Sequence, residues 1–202
     1  LVWLYQTFVQ GITAVMLLHF YAAFPPNRQA VISINTINIK KMKVTYLPNL
    51  GVEIHSEKIL WNESRENVRV KLKQSHKDDD KEFDNSAFLD GDTSFNIIQK
   101  RDIYQDFENE ENLFFFTYDE ENQLSEIEFH TGIELTIGNT KIAIGEDINR
   151  VIEKLHYPYF ENDEGNYFFN ELKLTMANDA YMGGDGNSLS YIYLTKDELG
   201  SE

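Results

Sequence analysis

The chain contains no cysteine, which excludes disulfide staples, cysteine nucleophiles and thiolate metal sites. Histidine is scarce and scattered. His19, His55, His76, His130 and His156 make no metal-ligand spacing, and no Ser-His-Asp pattern accompanies His130 or His156. Basic residues are also few: 18 Lys and Arg oppose 34 Asp and Glu, for a formal charge of −16. Such a surface repels phosphate backbones, which argues against nucleic acid and favours a basic protein as partner. Aromatic residues are not lacking. With 14 Phe and 11 Tyr in 202 residues, the chain has enough apolar surface for one substantial core or two small packed modules.

The opening stretch lacks charge altogether. Residues 1 to 24 contain no Asp, Glu, Lys or Arg, and residues 1 to 41 carry Arg28, Lys40 and Lys41 but no acid. From Met42 onward all 34 acids face the remaining 15 bases, a formal charge of −19. The apolar run reaches the roughly 20 residues a membrane helix needs. It lacks the basic start of a signal peptide, and Pro25-Pro26 replaces a small-residue cleavage site. Three readings stay open: a noncanonical segment upstream of a true start at Met42, a membrane anchor or interfacial helix, and a segment packed on the soluble domain. The alternation of residues 30 to 39, AVISINTINI, has the period of a strand and favours the third. Arg28, Lys40 and Lys41 would place the following domain on the cytoplasmic side of a membrane. The expected location is cytoplasmic, with inner-membrane association through residues 1 to 24 as the open alternative.

One stretch occurs in two versions. VEIHSEKILWNESRENVRVKL, residues 52 to 72, shares landmarks with IELTIGNTKIAIGEDINRVIEKL, residues 133 to 155. Ile59 precedes Val68 by nine positions, as Ile142 precedes Val151, and Leu72 and Leu155 each follow four positions later. Constant offsets predict a duplicated strand-to-helix unit. In the first copy, Val44, Tyr46, Val52 and Ile54 predict strands around the turn residues Pro48-Asn49-Leu50-Gly51. Asn62 or Ser64 then caps a helix that sets Val68 and Leu72 on one side. In the second, Ile133, Leu135 and Ile137 alternate up to Gly138-Asn139, a favoured hairpin turn. Ile148, Val151, Ile152 and Leu155 then make a helical stripe.

Between the copies, LFFFTY (113 to 118) and LSEIEF (124 to 129) predict a hairpin with Ile127 and Phe129 on its core side and Glu126 and Glu128 on a wet side. After Pro158, Phe168, Leu172 and Leu174 are core candidates, with a bulge near Asn170-Glu171 able to change their phase. The expected fold class is α+β: two related modules of curved antiparallel sheet, each covered by a helix, at 42 to 131 and 132 to 202, after an N-terminal segment of 1 to 41.

The chemistry-bearing motifs are weak. Residues 76 to 87, HKDDDKEFDNSA, read as a solvated acidic loop. Asp90-Gly91-Asp92-Thr93 lacks the apolar nucleophile strand and companion Lys of phosphoryl-transfer enzymes. Gly183-Gly184-Asp185-Gly186-Asn187 lacks both EF-hand alternation and the Gly-Lys-Ser/Thr of a nucleotide loop, and reads as a flexible turn. The Glu126/Glu128 alternation is that of a solvated sheet face rather than of paired catalytic carboxylates. No catalytic residue, cofactor or metal is expected.

Four pieces, SRENV to Leu72, LFFFTYDEENQLSEIEF at 113 to 129, GEDINRVIEKL at 145 to 155 and LSYIYL at 189 to 194, resemble a group of bacterial proteins made of two small helix-and-sheet repeats, some considered immunity-like. The resemblance spans 42 to 199 and carries no catalytic or toxin-binding residue set. The −19 charge from Met42 onward, the two expected units and the lack of a catalytic constellation point to a noncatalytic acidic protein-binding module, and the resemblance adds the specific form of an immunity protein neutralising a basic cognate toxin. A membrane-associated structural or sensor domain and a hydrolase are the alternatives. The residues expected to meet the partner are Asp78, Asp79, Asp80 and Asp84 in the acidic loop, Glu108, Glu110, Glu111, Glu120 and Glu121 around the central hairpin, and Tyr118 or Tyr181 as aromatic anchors.

Overall fold

Val44 and Tyr46 alternate with polar residues, and this alternation becomes β1 (Met42–Leu47), which turns back into β2 (Gly51–Ile54) and again into β3 (Glu57–Leu60). The computed structural model describes residues 41–86, 90–106 and 111–199. Helix α1 (Arg65–Leu72) starts at Ser64, whose side chain accepts from the Asn67 amide at 3.4 Å, and stops where Lys73 turns left-handed at φ 50°. Two short strands follow, β4 (Lys77–Asp78) and β5 (Lys81–Phe83), then the longer β6 (Ile97–Asp106), β7 (Glu111–Tyr118) and β8 (Leu124–Phe129). The hairpin of β9 (Ile133–Ile137) and β10 (Thr140–Ala143) leads to α2 (Ile148–Leu155), which is capped by Asp147 and ends at left-handed His156. The chain finishes with β11 (Phe160–Glu161), β12 (Asn166–Phe169), a 3-10 turn at Asn170–Leu172, β13 (Leu174–Asn178) and β14 (Leu189–Thr195).

These elements make a mixed α/β fold that is mostly sheet. A five-stranded sheet has the order β10-β9-β1-β2-β3, and a larger one runs β11-β12-β13-β14-β8-β7-β6-β4, with β5 also on β6. One pairing departs from the expected antiparallel pattern: β1 lies parallel to β9, with Val44 opposite Leu135 and Tyr46 opposite Ile137. Everything from β2 to β8 separates the two strands, so no hairpin turn ties their directions together.

Both sheets and both helices feed one core. Val44, Tyr46 and Leu135 come from the smaller sheet, and Phe116, Phe129, Met176 and Ile192 from the larger. Val68 and Leu72 anchor α1, while Ile148, Val151 and Leu155 anchor α2. Complete burial of a side chain such as Val151 contributes about 1.5–3 kcal/mol. Tyr46 adds a polar tie by donating its hydroxyl to the Leu172 carbonyl at 2.5 Å, and burial pushes its ionisation up to about 12. The stretches 42–131 and 132–199 therefore share one interior. Among the described residues no helix is long and apolar enough to cross a membrane. The apolar run of 1–24 and the strand expected at 30–39 lie outside the described residues.

Three local expectations need correction. Residues 76–87 are not simply a loop: β4 and β5 pair with β6, because flanking cations neutralise the aspartates and permit an extended edge. Phe168 is not a core residue. The 3-10 turn after β12 resets the alternation, so Tyr167 and Phe169 are buried while Phe168 faces the other way, stacked on Phe160 at 4.5 Å. The Glu126/Glu128 side is not uniformly wet, since Glu128 is 7% exposed.

The paths from hairpin to helix match in detail. Ser64 follows the end of β3 by the same four positions as Asp147 follows the end of β10, and each helix has eight residues. Asn62 donates to the Leu124 carbonyl, Leu124 to that of Glu63, and Arg65 to that of Asn122, each at 2.9 Å. In the other path Gly145 donates to Leu189 (2.7 Å), Leu189 to Glu146 (2.6 Å) and Ile148 to Asn187 (3.0 Å). Each helix start is thereby pinned to the start of a long strand, β8 in one case and β14 in the other.

Candidate functional site

Residues directly opposite on neighbouring strands share a face, so register assigns the side chains of the larger sheet to two sides. Asp102, Phe116, Ile127 and Leu194 are successive partners on the core side. Ile103, Phe115, Glu128, Tyr193, Thr175 and Phe168 form a row on the second side, with Arg101, Thr117, Glu126 and Thr195 beside them. Carboxylates occur on both sides, and the protein treats them differently.

On the core side, Asp102 is fully buried and takes five donors. Arg65 Nε and Nη2 reach Oδ1 at 2.9 and 2.7 Å, and Arg69 Nη2 reaches it at 2.6 Å. Arg69 Nε and the Tyr118 hydroxyl reach Oδ2 at 2.9 and 3.1 Å. Burial pushes the Asp102 carboxyl up, but donation from Arg69 and Arg65 and their charge more than reverse this, leaving it below its ordinary value. Arg65 also grips Asp80 with two nitrogens at 2.9 and 2.8 Å, and Arg69 reaches Asp78 at 2.5 Å. Helix α1 supplies both arginines one turn apart, which is why Arg65 and Arg69 point the same way.

His76, Asp78 and Asp102 bring ligand atoms within 4.8 Å of one another. They do not suit a metal ion. Both Asp102 oxygens are already occupied, and two guanidinium charges stand where the cation would sit.

Three of the acidic residues expected to meet a partner, Asp78, Asp79 and Asp80, are tied to cations of the same chain. Asp78 and Asp80 stay exposed but are bound to arginines of α1. Asp79 is buried, joined to Arg101 and at 2.9 Å to Lys81; burial raises its carboxyl, and these donors bring it below its usual range. Asp84 is exposed and accepts from the Ser86 amide at 2.9 Å. Glu111, Glu120 and Glu121 are exposed, at the start of β7 and in the β7–β8 turn. Glu108 and Glu110 lie outside the described residues. Tyr118 is 2% exposed and supports Asp102 from beneath, so its ring offers no anchor at the surface. Tyr181 is half-buried in the loop after β13, and burial raises its hydroxyl ionisation.

The second side joins Glu126 and Glu128, expected only to face solvent, to tyrosines that carried no expected role. Glu126 and Glu128 on β8 lie beside Tyr191 and Tyr193 on β14. Tyr191 and Tyr193 stack at 6.4 Å, and His130 lies 4.4 Å from Phe115 and 5.8 Å from Tyr191. Burial pushes Glu126 up to about 7; a hydrogen bond from Tyr193 opposes the shift and the Glu128 charge adds to it. Burial also raises Tyr191 and Tyr193, helped by the Glu128 charge at Tyr191 and the Glu126 charge at Tyr193. The cation that acts on Glu126 is Arg101, which is bound to Asp79 and lies 4.8 Å over the Phe115 ring. The signal available in the sequence was the shared two-residue period of Glu126/Glu128 and Tyr191/Tyr193. Comparison with protein-family models, curated proteins and solved structures gives no match.

Proposed function

We propose that the chain from Met42 onward is a noncatalytic protein-binding module that meets a basic partner on the second side of the larger sheet. The observation that carries this reading is the unequal neutralisation of carboxylates. Asp78, Asp79, Asp80 and Asp102 are held by arginines and a lysine of the same chain, whereas Glu126 and Glu128 stand among tyrosines, with Arg101 committed to Asp79 and His130 Nε2 3.4 Å from Glu128. A basic side chain from outside completes such a face, and tyrosines add contact area at small entropic cost. The −16 formal charge speeds encounter with a basic surface, and exposed Asp84, Glu111, Glu120 and Glu121 add to that steering. An immunity protein that masks the basic active surface of a bacterial toxin is the specific form of the proposal. The same reading treats the two hairpin-to-helix paths as copies of one unit, each helix covering its own part of the sheets; their matched hydrogen bonds support it.

The test is calorimetric titration of the full chain with basic proteins encoded beside it, at low and high salt. A saturable complex, weakened by salt and by joint Glu126→Gln and Glu128→Gln substitution without loss of folding, is expected. A complex indifferent to both, or none with any cognate basic protein, overturns the proposal.

A further inference from the structure

We propose that β11 is a docking edge for one strand of another protein, an extended segment in which Lys or Arg alternates with apolar residues. The edge ends the larger sheet, four strands from β8 in the order β11-β12-β13-β14-β8, and the proposal does not rest on the Glu126 and Glu128 face described above.

The backbone of β11 is open on its outer side. Asn162 donates to the Asn166 carbonyl at 3.1 Å, and two positions earlier Phe160 lies opposite Phe168, so Asn162 and Phe160 turn their backbone groups to β12. Alternation then turns the N–H and C=O of Tyr159 and Glu161 outward, where a sheet takes its next strand. The β3 edge of the smaller sheet is treated in the opposite way. There the Lys58 carbonyl accepts from Lys71 Nζ at 2.8 Å, and the Leu60 amide donates to Glu63 Oε2 at 3.1 Å. Those side chains occupy the groups that an added strand needs.

Aromatic rings stand at the same edge. Tyr157 and Tyr159, 37% and 48% exposed, lead into β11. Tyr159 is braced by Tyr167 and Phe169, with ring centroids 6.0 and 5.7 Å away, while Phe160 stacks on Phe168 on the other side of the sheet. A strand laid along β11 meets rings on both of its faces.

Charge selects the occupant. Glu161 is exposed, as are Asp163 and Glu164 in the turn that joins β11 to β12. The nearest lysines along the chain are engaged elsewhere, Lys154 with Glu146 and Lys173 with the Lys196 carbonyl. Beside Glu161 lies the Tyr167 hydroxyl, which offers it a hydrogen bond but no positive charge. A charged edge keeps away strands of its own sign, so a second copy of this chain is repelled and a basic strand is drawn in. Register sets the pattern of that strand. Its residues opposite Tyr159 and Glu161 share their face, where a cation meets a ring and a carboxylate, and the residue between them is apolar against Phe160.

The experiment titrates the full chain with the capped peptide Lys-Val-Lys-Val-Lys and follows backbone amides by NMR. Saturable shifts at Tyr159, Phe160 and Glu161 are expected, with slower exchange of the Tyr159 and Glu161 amide protons. Glu161→Lys, at an exposed position, weakens binding roughly tenfold or more. N-methylation of alternate peptide residues removes the N–H groups turned to β11 without touching the protein, and has a similar effect. Joint Glu126→Gln and Glu128→Gln leaves this binding unchanged, which separates the two surfaces. Absence of saturable binding, equal binding by the N-methylated peptide, dependence on Glu126 and Glu128, or shifts that bypass Tyr159 and Glu161 overturns the proposal.

Discussion

Arg65 and Asp102 are joined twice over, since Nε and Nη2 of the arginine both donate to Oδ1 of the aspartate at 2.9 and 2.7 Å. Arg69 completes the arrangement from the next turn of α1, so one buried carboxylate fixes the rotation of the helix against β6. Asp102→Asn keeps the shape but removes the charge. The expected cost is about 3–5 kcal/mol, the range for breaking a buried ion pair from one side, read from urea unfolding midpoints. The folded Asp102 carboxyl is held below its ordinary value, so its contribution is fully present above the unfolded pKa of about 3.9 and is lost as pH falls through the folded value. The substitution therefore also flattens the acid limb of the stability profile. An unchanged limb would mean that the other aspartates carry it.

Glu126 acts in the opposite direction. Its folded value is about 7 against 4.5 in the unfolded chain, so between those values the folded state holds a proton that the unfolded state has released. Stability from this group falls as pH rises through that window, and the loss is complete above about 7. Glu126→Gln abolishes the slope and stabilises the protein at pH 8 by about 1–3 kcal/mol. Thermal melts of both proteins from pH 4 to pH 8 decide the matter; parallel profiles count against a perturbed Glu126.

Gly51 opens β2 at φ +134°, where a built Cβ meets the Ile59 carbonyl oxygen at 2.1 Å and the Leu60 Cα at 3.0 Å. Both obstacles are backbone. Gly51→Ala is expected to cost about 3 kcal/mol or more, through strain and loss of β2–β3 pairing. Gly138→Ala is the comparison: φ is +58° but no atom lies within 4 Å, so the cost is about 1–2 kcal/mol from the left-handed backbone alone. Equal denaturation midpoints for the two variants would remove the steric argument.

Val151→Asp sets a charge into a site with no exposure, on the face that seats α2. A loss of about 3 kcal/mol or more is expected, whereas exposed Glu153→Ala shifts stability by about 0.5 kcal/mol or less. Cooperative unfolding unchanged by the aspartate would show that Val151 does not anchor the helix.

The elements that announced themselves in the sequence are those whose side chains obey one period without interruption. Ile148, Val151 and Leu155 gave α2, and Gly138-Asn139 gave its hairpin, because nothing distant competes with those local preferences. The strands of the acidic stretch were hidden. Their aspartates disfavour sheet by composition, and only the later Arg101 with Arg65 and Arg69 makes an edge there favourable. The candidate site was half visible for the same reason. The period of Glu126 and Glu128 was plain, but β14 lies some 60 positions further on, and the pairing that sets Tyr193 against Glu128 has no local signal. Phe168 failed because a three-residue turn shifts the phase of everything after it.

β1 is the first described strand to be synthesised and the middle strand of the smaller sheet, flanked by β2 on one side and by β9 on the other. A ribosome that has made the chain as far as β8 has exposed β1 with one edge still open, because Ile133–Ile137 has not yet been translated. The nascent protein thus carries an unfilled strand position through much of its synthesis, and closure of that position couples the completion of the interior to the arrival of the last third of the polypeptide.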